Sequence, residues 1–203
     1  MSDEQTSTDA FAEAVRRVTA ATDDDAIAAV IARAGGGVVT GVTGRPGAGK
    51  STLIAALSER GGSIVAAGPL LEVHGVDAPD APAPVLDQDV LLHVVAREIT
   101  AADRALLAAR GSAPTLTVVG RPDLPFRPSV PDRSGSANAA PVRGDDLDAI
   151  VRWWEAARIE ARRRRHRVLC GDLEIVAAAR PATRAAVETF LRDPVVMSVR
   201  GSR

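Results

Sequence analysis

One segment of the chain has the residue types and the spacing of a phosphate-binding loop. It matches the pattern G-x-x-x-x-G-K-[ST] in full and consists of Gly44, Arg45, Pro46, Gly47, Ala48, Gly49, Lys50 and Ser51. Glycines allow successive backbone N–H groups to point into one concavity that suits an anion. A lysine can bridge the outer phosphates, and a serine hydroxyl can ligate Mg²⁺. The segment therefore predicts a site for the polyphosphate of a nucleotide, with Mg²⁺ on Ser51. Thr52, the next residue, is also predicted to contact the nucleotide.

Lys50 also stands out by composition, because it is the only lysine among the 25 lysine and arginine residues of the chain. Almost all basic residues of the chain are arginines, so the retention of one lysine indicates that its position needs a compact ammonium group. A planar guanidinium cannot replace such a group. Chance retention is the alternative explanation.

A candidate for a second metal-binding residue follows a predicted strand. Asp77 ends the apolar segment 70–76 and is followed by Ala78, Pro79 and Asp80. In P-loop proteins an acid at the end of a second strand reaches Mg²⁺ or its water. Asp77 is therefore predicted to share the metal with Ser51, and a simple turn before proline is the alternative.

The elements that must position these residues alternate between strands and helices. A β-branched strand at 38–42 precedes the loop, and a helix follows it to about residue 60. Further strands are predicted at 63–67, 70–76, 89–95 and 115–120. Further helices are predicted at 8–21, 24–34, 101–110, 145–169, 172–180 and 181–192, with a capping box at Thr100 and Asp103.

This order of elements predicts an α/β fold, a three-layer P-loop NTPase sheet with N-terminal helices and a C-terminal helical extension. We divide the chain into N-terminal helices (1–34), a nucleotide-binding core (35–126), a flexible loop rich in Pro, Ser and Gly (127–144) and a C-terminal helical part that packs on the core (145–203).

Residues 36–125 resemble the G domain of P-loop GTPases, in particular the translation-factor-like and dynamin-like branch, and residues 141–157 resemble a weak final strand and helix of that domain. The motifs after the loop are only partial. Asp80 stands where GTPases have the glycine of Asp-x-x-Gly, and no threonine occurs between Leu53 and Val76 to act as a switch residue.

The guanine-specificity motif is partial as well. Gly120 and Arg121 replace its Asn and Lys, whereas Asp123 is kept. The resemblance implies that Asp123 accepts hydrogen bonds from guanine and that Arg121 lies over the purine ring. A simple turn is again the alternative.

Together these features predict a purine-nucleotide-binding protein that is GTPase-like, has eroded switches and weak intrinsic hydrolysis, and acts with a protein partner. The expected ligands are GTP or GDP ahead of ATP, with Mg²⁺. Two other functions stay open. One is a non-catalytic pseudo-GTPase that serves as the partner subunit of a larger GTPase. The other is a small-molecule P-loop kinase or a metallochaperone-type GTPase, whose loops are similar to the segment around Lys50.

Composition excludes several classes of function. Hydrophobic residues make up 46% of the chain and the formal net charge is −1, which argues against disorder and against a general attraction to nucleic acid. We expect no nucleic-acid ligand and no membrane contact, since no apolar run has the length of a membrane span. One cysteine, Cys170, and a polar N-terminus indicate a cytoplasmic location. The basic run from Arg162 to Arg167 is either a solvated helix end or a surface for an acidic protein partner or a membrane surface.

Overall fold

The computed structural model describes residues 3–60, 69–73, 84–120 and 141–201, without the side chains of residues 3–5. The described chain divides into two compact units. The sheet unit is Gly37–Ala161, and the helical unit combines Met1–Gly36 with Arg162–Arg203. This grouping places the N-terminal helices with the C-terminal ones, whereas the sequence analysis divided the chain into consecutive segments.

The sheet unit contains a five-stranded parallel sheet in the order β2-β1-β3-β4-β5. Its strands are β1 (Thr40–Gly44), β2 (Leu70–Glu72), β3 (Val90–Val95), β4 (Thr115–Val119) and β5 (Val142–Arg143). All six residues of β3 are buried, as expected for a central strand that is covered on both faces. The predicted α/β fold of the P-loop NTPase type is confirmed.

One face of the sheet packs on α3 (Lys50–Arg60) and on the first part of α5 (Leu147–Ala179). The Nε1 atom of Trp154 donates a hydrogen bond of 2.8 Å to the hydroxyl of Thr40, which satisfies both buried polar groups. The largest members of this core come from three strands and two helices: Val42, Leu53, Leu57, Leu92, Val94, Leu116, Val118, Ile150 and Trp154.

The opposite face carries polar side chains in register. Thr43, His93 and Thr117 are aligned across β1, β3 and β4, and side chains alternate along a strand, so they lie on the face opposite the Leu92 core. Asp103 of α4 (Ala101–Ala109) reaches His93 on this side of the sheet. The predicted capping box of Thr100 and Asp103 is present at the start of α4.

The helical unit is built from α1 (Asp3–Ala20), α2 (Asp25–Ala34), the remainder of α5, a 3-10 turn (Pro181–Thr183), α6 (Arg184–Leu191) and α7 (Pro194–Gly201). Asp24 caps α2, and both of its carboxylate oxygens accept from the same atom of Arg180, Nη1, at 3.0 Å. The buried members of this core include Phe11, Val18, Ile27, Leu169, Leu173, Val187, Phe190 and Val196.

The helix boundaries at the C-terminal end differ from the prediction. The predicted break after residue 169 is wrong, because α5 continues through Gly171 to Ala179. One glycine costs a helix only about 1 kcal/mol, and burial of Leu169, Leu173 and Ala177 outweighs that cost. The prediction for 181–192 corresponds to the 3-10 turn and α6, whereas α7 was not predicted.

The remaining predicted elements agree with the structure in type where it describes them. The predicted strand at 70–76 corresponds to β2, and residues 141–157 contain β5 and the start of α5, as expected. The predicted strand at 63–67 and most of the predicted loop at 127–144 lie outside the described residues. In the described ranges, no helix has both the length and the apolar character needed to cross a membrane.

Candidate functional site

The predicted phosphate loop lies between β1 and the first turn of α3. Its glycines Gly44, Gly47 and Gly49 have φ angles of 146°, 74° and 101°, a backbone region that favours glycine. The amide of Ala48 donates to the carbonyl of Arg45 at 3.2 Å, which closes the turn. The strand, loop and helix that such a nest requires are therefore all present.

Gly120, which directly follows β4, packs against the backbone of the loop. A Cβ atom at this position would lie 2.0 Å from the carbonyl oxygen of Ala48 and 2.7 Å from Cγ1 of Val94. The sequence analysis treated Gly120 as the loss of an asparagine. The structure shows that the carbonyl group of Ala48 and the side chain of Val94 occupy the space that any side chain here would need, so the end of β4 contacts the loop directly.

Three side chains of different chemistry meet beside the loop. The Lys50 ammonium donates to the carbonyl of Arg45 at 3.2 Å and lies 3.7 Å from the Glu72 carboxylate. The Ser51 hydroxyl donates to the other Glu72 oxygen at 3.2 Å. Only 9% of the Lys50 side chain is exposed, so its stem is packed into the protein while its charge stays paired.

Glu72 is a functional candidate that the sequence analysis missed. It ends β2, and its register with Val42 of β1 places it at the edge of the sheet from which the loop leaves. The signal was a carboxylate at the end of an apolar segment, but the predicted strand was extended to residue 76 and the acid was sought at Asp77. A serine hydroxyl with carboxylate oxygens is a donor set of the kind that Mg²⁺ prefers, so Ser51 and Glu72 fit that ion.

A second polar group connects the loop to α4. Arg45 donates from Nη2 to the hydroxyl of Thr100 at 2.8 Å, and that hydroxyl donates to Asp103 Oδ2 at 2.7 Å. The other oxygen of Asp103 lies 3.2 Å from Nε2 of His93, which is completely buried. Burial by itself raises the pKa of Asp103, but hydrogen bonds from His93 and from Thr100 outweigh it and lower the pKa to about 2. Asp103 is therefore a buried carboxylate at neutral pH.

The other predicted site residues fall into two groups. Pro46, Gly47, Ser51 and Thr52 are exposed on the loop and at the start of α3, and Ala48 is buried beneath them. The predicted metal residue Asp77 and the predicted base contacts Arg121 and Asp123 lie outside the described residues. The structure thus brings together Lys50, Ser51 and the unforeseen Glu72.

Part of the basic run on α5 is used inside the helical unit. Arg162 donates to the Thr8 hydroxyl at 3.5 Å, and Arg165 donates to the carbonyl of Gly36. Arg163 and Arg164 are exposed. The predicted helix end is wrong, because the run lies in the middle of α5, where it is partly solvated and partly structural.

The parallel sheet and the glycine-rich loop between β1 and α3 define a protein of the P-loop nucleotide-binding class. Residues 10–82, about a third of the chain, match the model of a family described as methylmalonyl Co-A mutase-associated GTPase MeaB. The chain is therefore similar over this segment to a P-loop GTPase family, and the similarity begins within α1 rather than at residue 36. The match gives no support to the translation-factor-like or dynamin-like branch. A search of curated proteins found no significant match.

Proposed function

We propose that the chain binds a guanine nucleotide together with Mg²⁺, with the phosphates on the loop at 44–51. The observation that carries this proposal is the meeting of Lys50, Ser51 and Glu72 beside a strand–loop–helix nest. Lys50 is held close to the nest by the Arg45 carbonyl, from which it can turn to the outer phosphates. When bound, Mg²⁺ would neutralise charge on the phosphate oxygens, and Ser51 with Glu72 would hold it, with Asp77 as a further candidate.

Preference for guanine over adenine is supported by the match to a GTPase family. Asp123 and Arg121 stay the proposed contacts to the base. Gly120 cannot be replaced by the asparagine of the usual motif without displacing Ala48, so recognition of the base must differ in detail from that of GTPases with a complete motif.

Slow hydrolysis by the chain alone is also part of the proposal. Among the described residues, the Glu72 carboxylate contacts Lys50 and Ser51 beside the loop. Because of these contacts, Glu72 is poorly placed to accept a proton from an attacking water. A protein partner would then supply what turnover requires. The matched family is named for its association with an enzyme, which supports a protein partner for this chain.

A non-catalytic nucleotide-dependent binding module is the second candidate. The close approach of Gly120 to the loop favours it, because the structure retains the phosphate nest while one specificity position has been lost to packing. Both candidate functions require nucleotide binding. Only the GTPase would hydrolyse GTP when its protein partner is present.

The test is a calorimetric titration of the full chain with GDP, GTP and ATP, in Mg²⁺ and in EDTA. We expect Lys50→Met to weaken GTP binding at least about 30-fold, since it removes charge-assisted hydrogen bonds to phosphate and keeps the apolar stem. Glu72→Gln should weaken binding about tenfold in Mg²⁺ and leave it unchanged in EDTA.

The matched control is Arg60→Gln, which removes a positive charge from the other end of α3, where Arg60 pairs with Asp148. It should bind nucleotide as the native protein does. Equal affinity of the native protein and Lys50→Met would remove the loop from the site, and a Glu72→Gln effect that persists in EDTA would remove Glu72 from the metal.

A further inference from the structure

A continuous chain of hydrogen bonds runs from the phosphate loop into the interior of the sheet unit. Its direction follows from the chemistry of Thr100, whose hydroxyl has one proton and two lone pairs. The proton goes to Asp103 Oδ2 at 2.7 Å, and the lone pairs accept from Arg45 Nη2 at 2.8 Å and from the amide of Asp103 at 3.2 Å. Every hydrogen-bonding position of this hydroxyl is used, so its orientation is determined.

Asp103 is the charged centre of the chain of hydrogen bonds. Its Oδ2 accepts from both the amide and the hydroxyl of Thr100, and its Oδ1 faces Nε2 of His93. Since Asp103 is ionised, His93 donates to it from Nε2, and Nδ1 of His93 is buried without a hydrogen-bond partner among the described residues. The carboxylate is therefore held from the β3 side and from α4, and it orients the Thr100 hydroxyl toward Arg45.

Arg45 connects the Thr100 hydroxyl to the backbone of the loop. Its backbone carbonyl accepts from the amide of Ala48 and from the ammonium of Lys50, both at 3.2 Å. The same residue thus has its guanidinium bound to the start of α4 and its carbonyl bound to two groups of the nest. Fixing the side chain limits the movement of the carbonyl on which Lys50 rests.

We propose that Thr100 is a positioning residue for the phosphate loop, acting through Arg45 with Asp103 as the buried anchor. The proposal rests on the nucleotide-binding function proposed above. It assigns a role in nucleotide affinity to a helix N-cap that lies outside the loop motif. Arg45 and Thr100 act as one unit, so loss of either should have the same effect as loss of both.

The test is a double-mutant cycle on nucleotide affinity, measured by titration of the full chain with GDP in Mg²⁺. Thr100→Val removes the hydroxyl and keeps the shape, and Arg45→Ala removes the guanidinium. We expect each to weaken GDP binding about tenfold and the double variant to be no weaker than either single variant. Thr100→Ser restores the hydroxyl and should bind within about twofold of the native protein.

Loss of the N-cap also lowers the stability of α4, so a structural control is needed. Asp24→Ala removes the N-cap of α2 in the helical unit, where Asp24 accepts from the amides of Ala26 and Ile27. It should lower the thermal midpoint and leave GDP affinity unchanged. Affinity in Thr100→Val equal to that of the native protein, or additive losses in the cycle, would overturn the role of Thr100 and leave the nucleotide site standing. A native protein that binds no nucleotide would overturn both proposals.

Discussion

Two histidines, one in each unit, show how differently the two parts of the molecule use polar groups. His93 in the sheet unit is completely buried and faces the carboxylate of Asp103. His166 in the helical unit stacks on Phe11, with ring centroids 3.8 Å apart and planes within 7° of parallel. Burial and, to a smaller extent, the charge of Arg162 lower the pKa of His166 to about 4. The first histidine belongs to a hydrogen-bonded network, whereas the second serves as an aromatic packing group.

The glycines of the two units differ in the same way. Gly120 is pressed against the backbone of the phosphate loop, whereas a Cβ at Gly171 of α5 would meet no atom within 4 Å. The sheet unit thus combines close backbone contacts with a buried polar network around its loop. The helical unit relies on a largely apolar core, and His166 contributes to it by stacking on Phe11. These features of the sheet unit surround the nucleotide site that we propose.

Gly120→Ala should have the largest effect of the three substitutions that compare the two units. The Cβ would lie 2.0 Å from the Ala48 carbonyl, a backbone atom that can move only with the loop. We expect a loss of about 3 kcal/mol in the free energy of unfolding, together with weaker nucleotide binding. Urea unfolding and nucleotide titration of the same preparation measure the two effects. Native stability in this variant would show that the β4 end and the loop are not in contact.

His166→Phe should change how stability depends on pH. The folded state resists protonation of His166 down to about pH 4, whereas the unfolded chain binds the proton near pH 6.5. Stability of the native protein should therefore fall as the pH decreases from 6.5 to 4. The full shift corresponds to about 3 kcal/mol, which partial exposure of the ring reduces to about 2 kcal/mol.

Phenylalanine keeps the stack on Phe11 and cannot be protonated. Denaturant unfolding of both proteins across this pH range should show the loss in the native protein and a smaller loss in the variant. Parallel pH curves for the two proteins would mean that His166 does not titrate with a lowered pKa.

Gly171→Ala should have the smallest effect and the opposite sign. Gly171 lies within α5 with open space around its missing Cβ, so alanine adds helix propensity without a clash. We expect a gain of up to about 1 kcal/mol in unfolding free energy and unchanged nucleotide affinity. Thermal unfolding with a parallel titration checks both. A destabilised Gly171→Ala would remove the contrast between the two glycines.

Sequence patterns predicted most of the sheet unit where the structure describes it, because its signals are local. The buried apolar run of β3, the capping box at Thr100 and the helix after the loop each depend on residues that are close in sequence. The long helix was cut short at Gly171 because a glycine is a stop signal when only neighbouring residues are considered. Its continuation depends on Leu169 and Leu173, which are buried against helices from both ends of the chain.

The site itself divides along the same line. The sequence alone determined the phosphate nest, since the glycines, Lys50 and Ser51 are chemically required within eight consecutive residues. Only the tertiary structure decided which groups surround it. Ser51 meets Glu72 across 21 positions and Arg45 meets Thr100 across 55, and both contacts depend on strand register and helix placement. The residue types within a loop determine its conformation. The residues that contact the loop from elsewhere are determined by how distant segments pack together, and the sequence gives no local signal of those contacts.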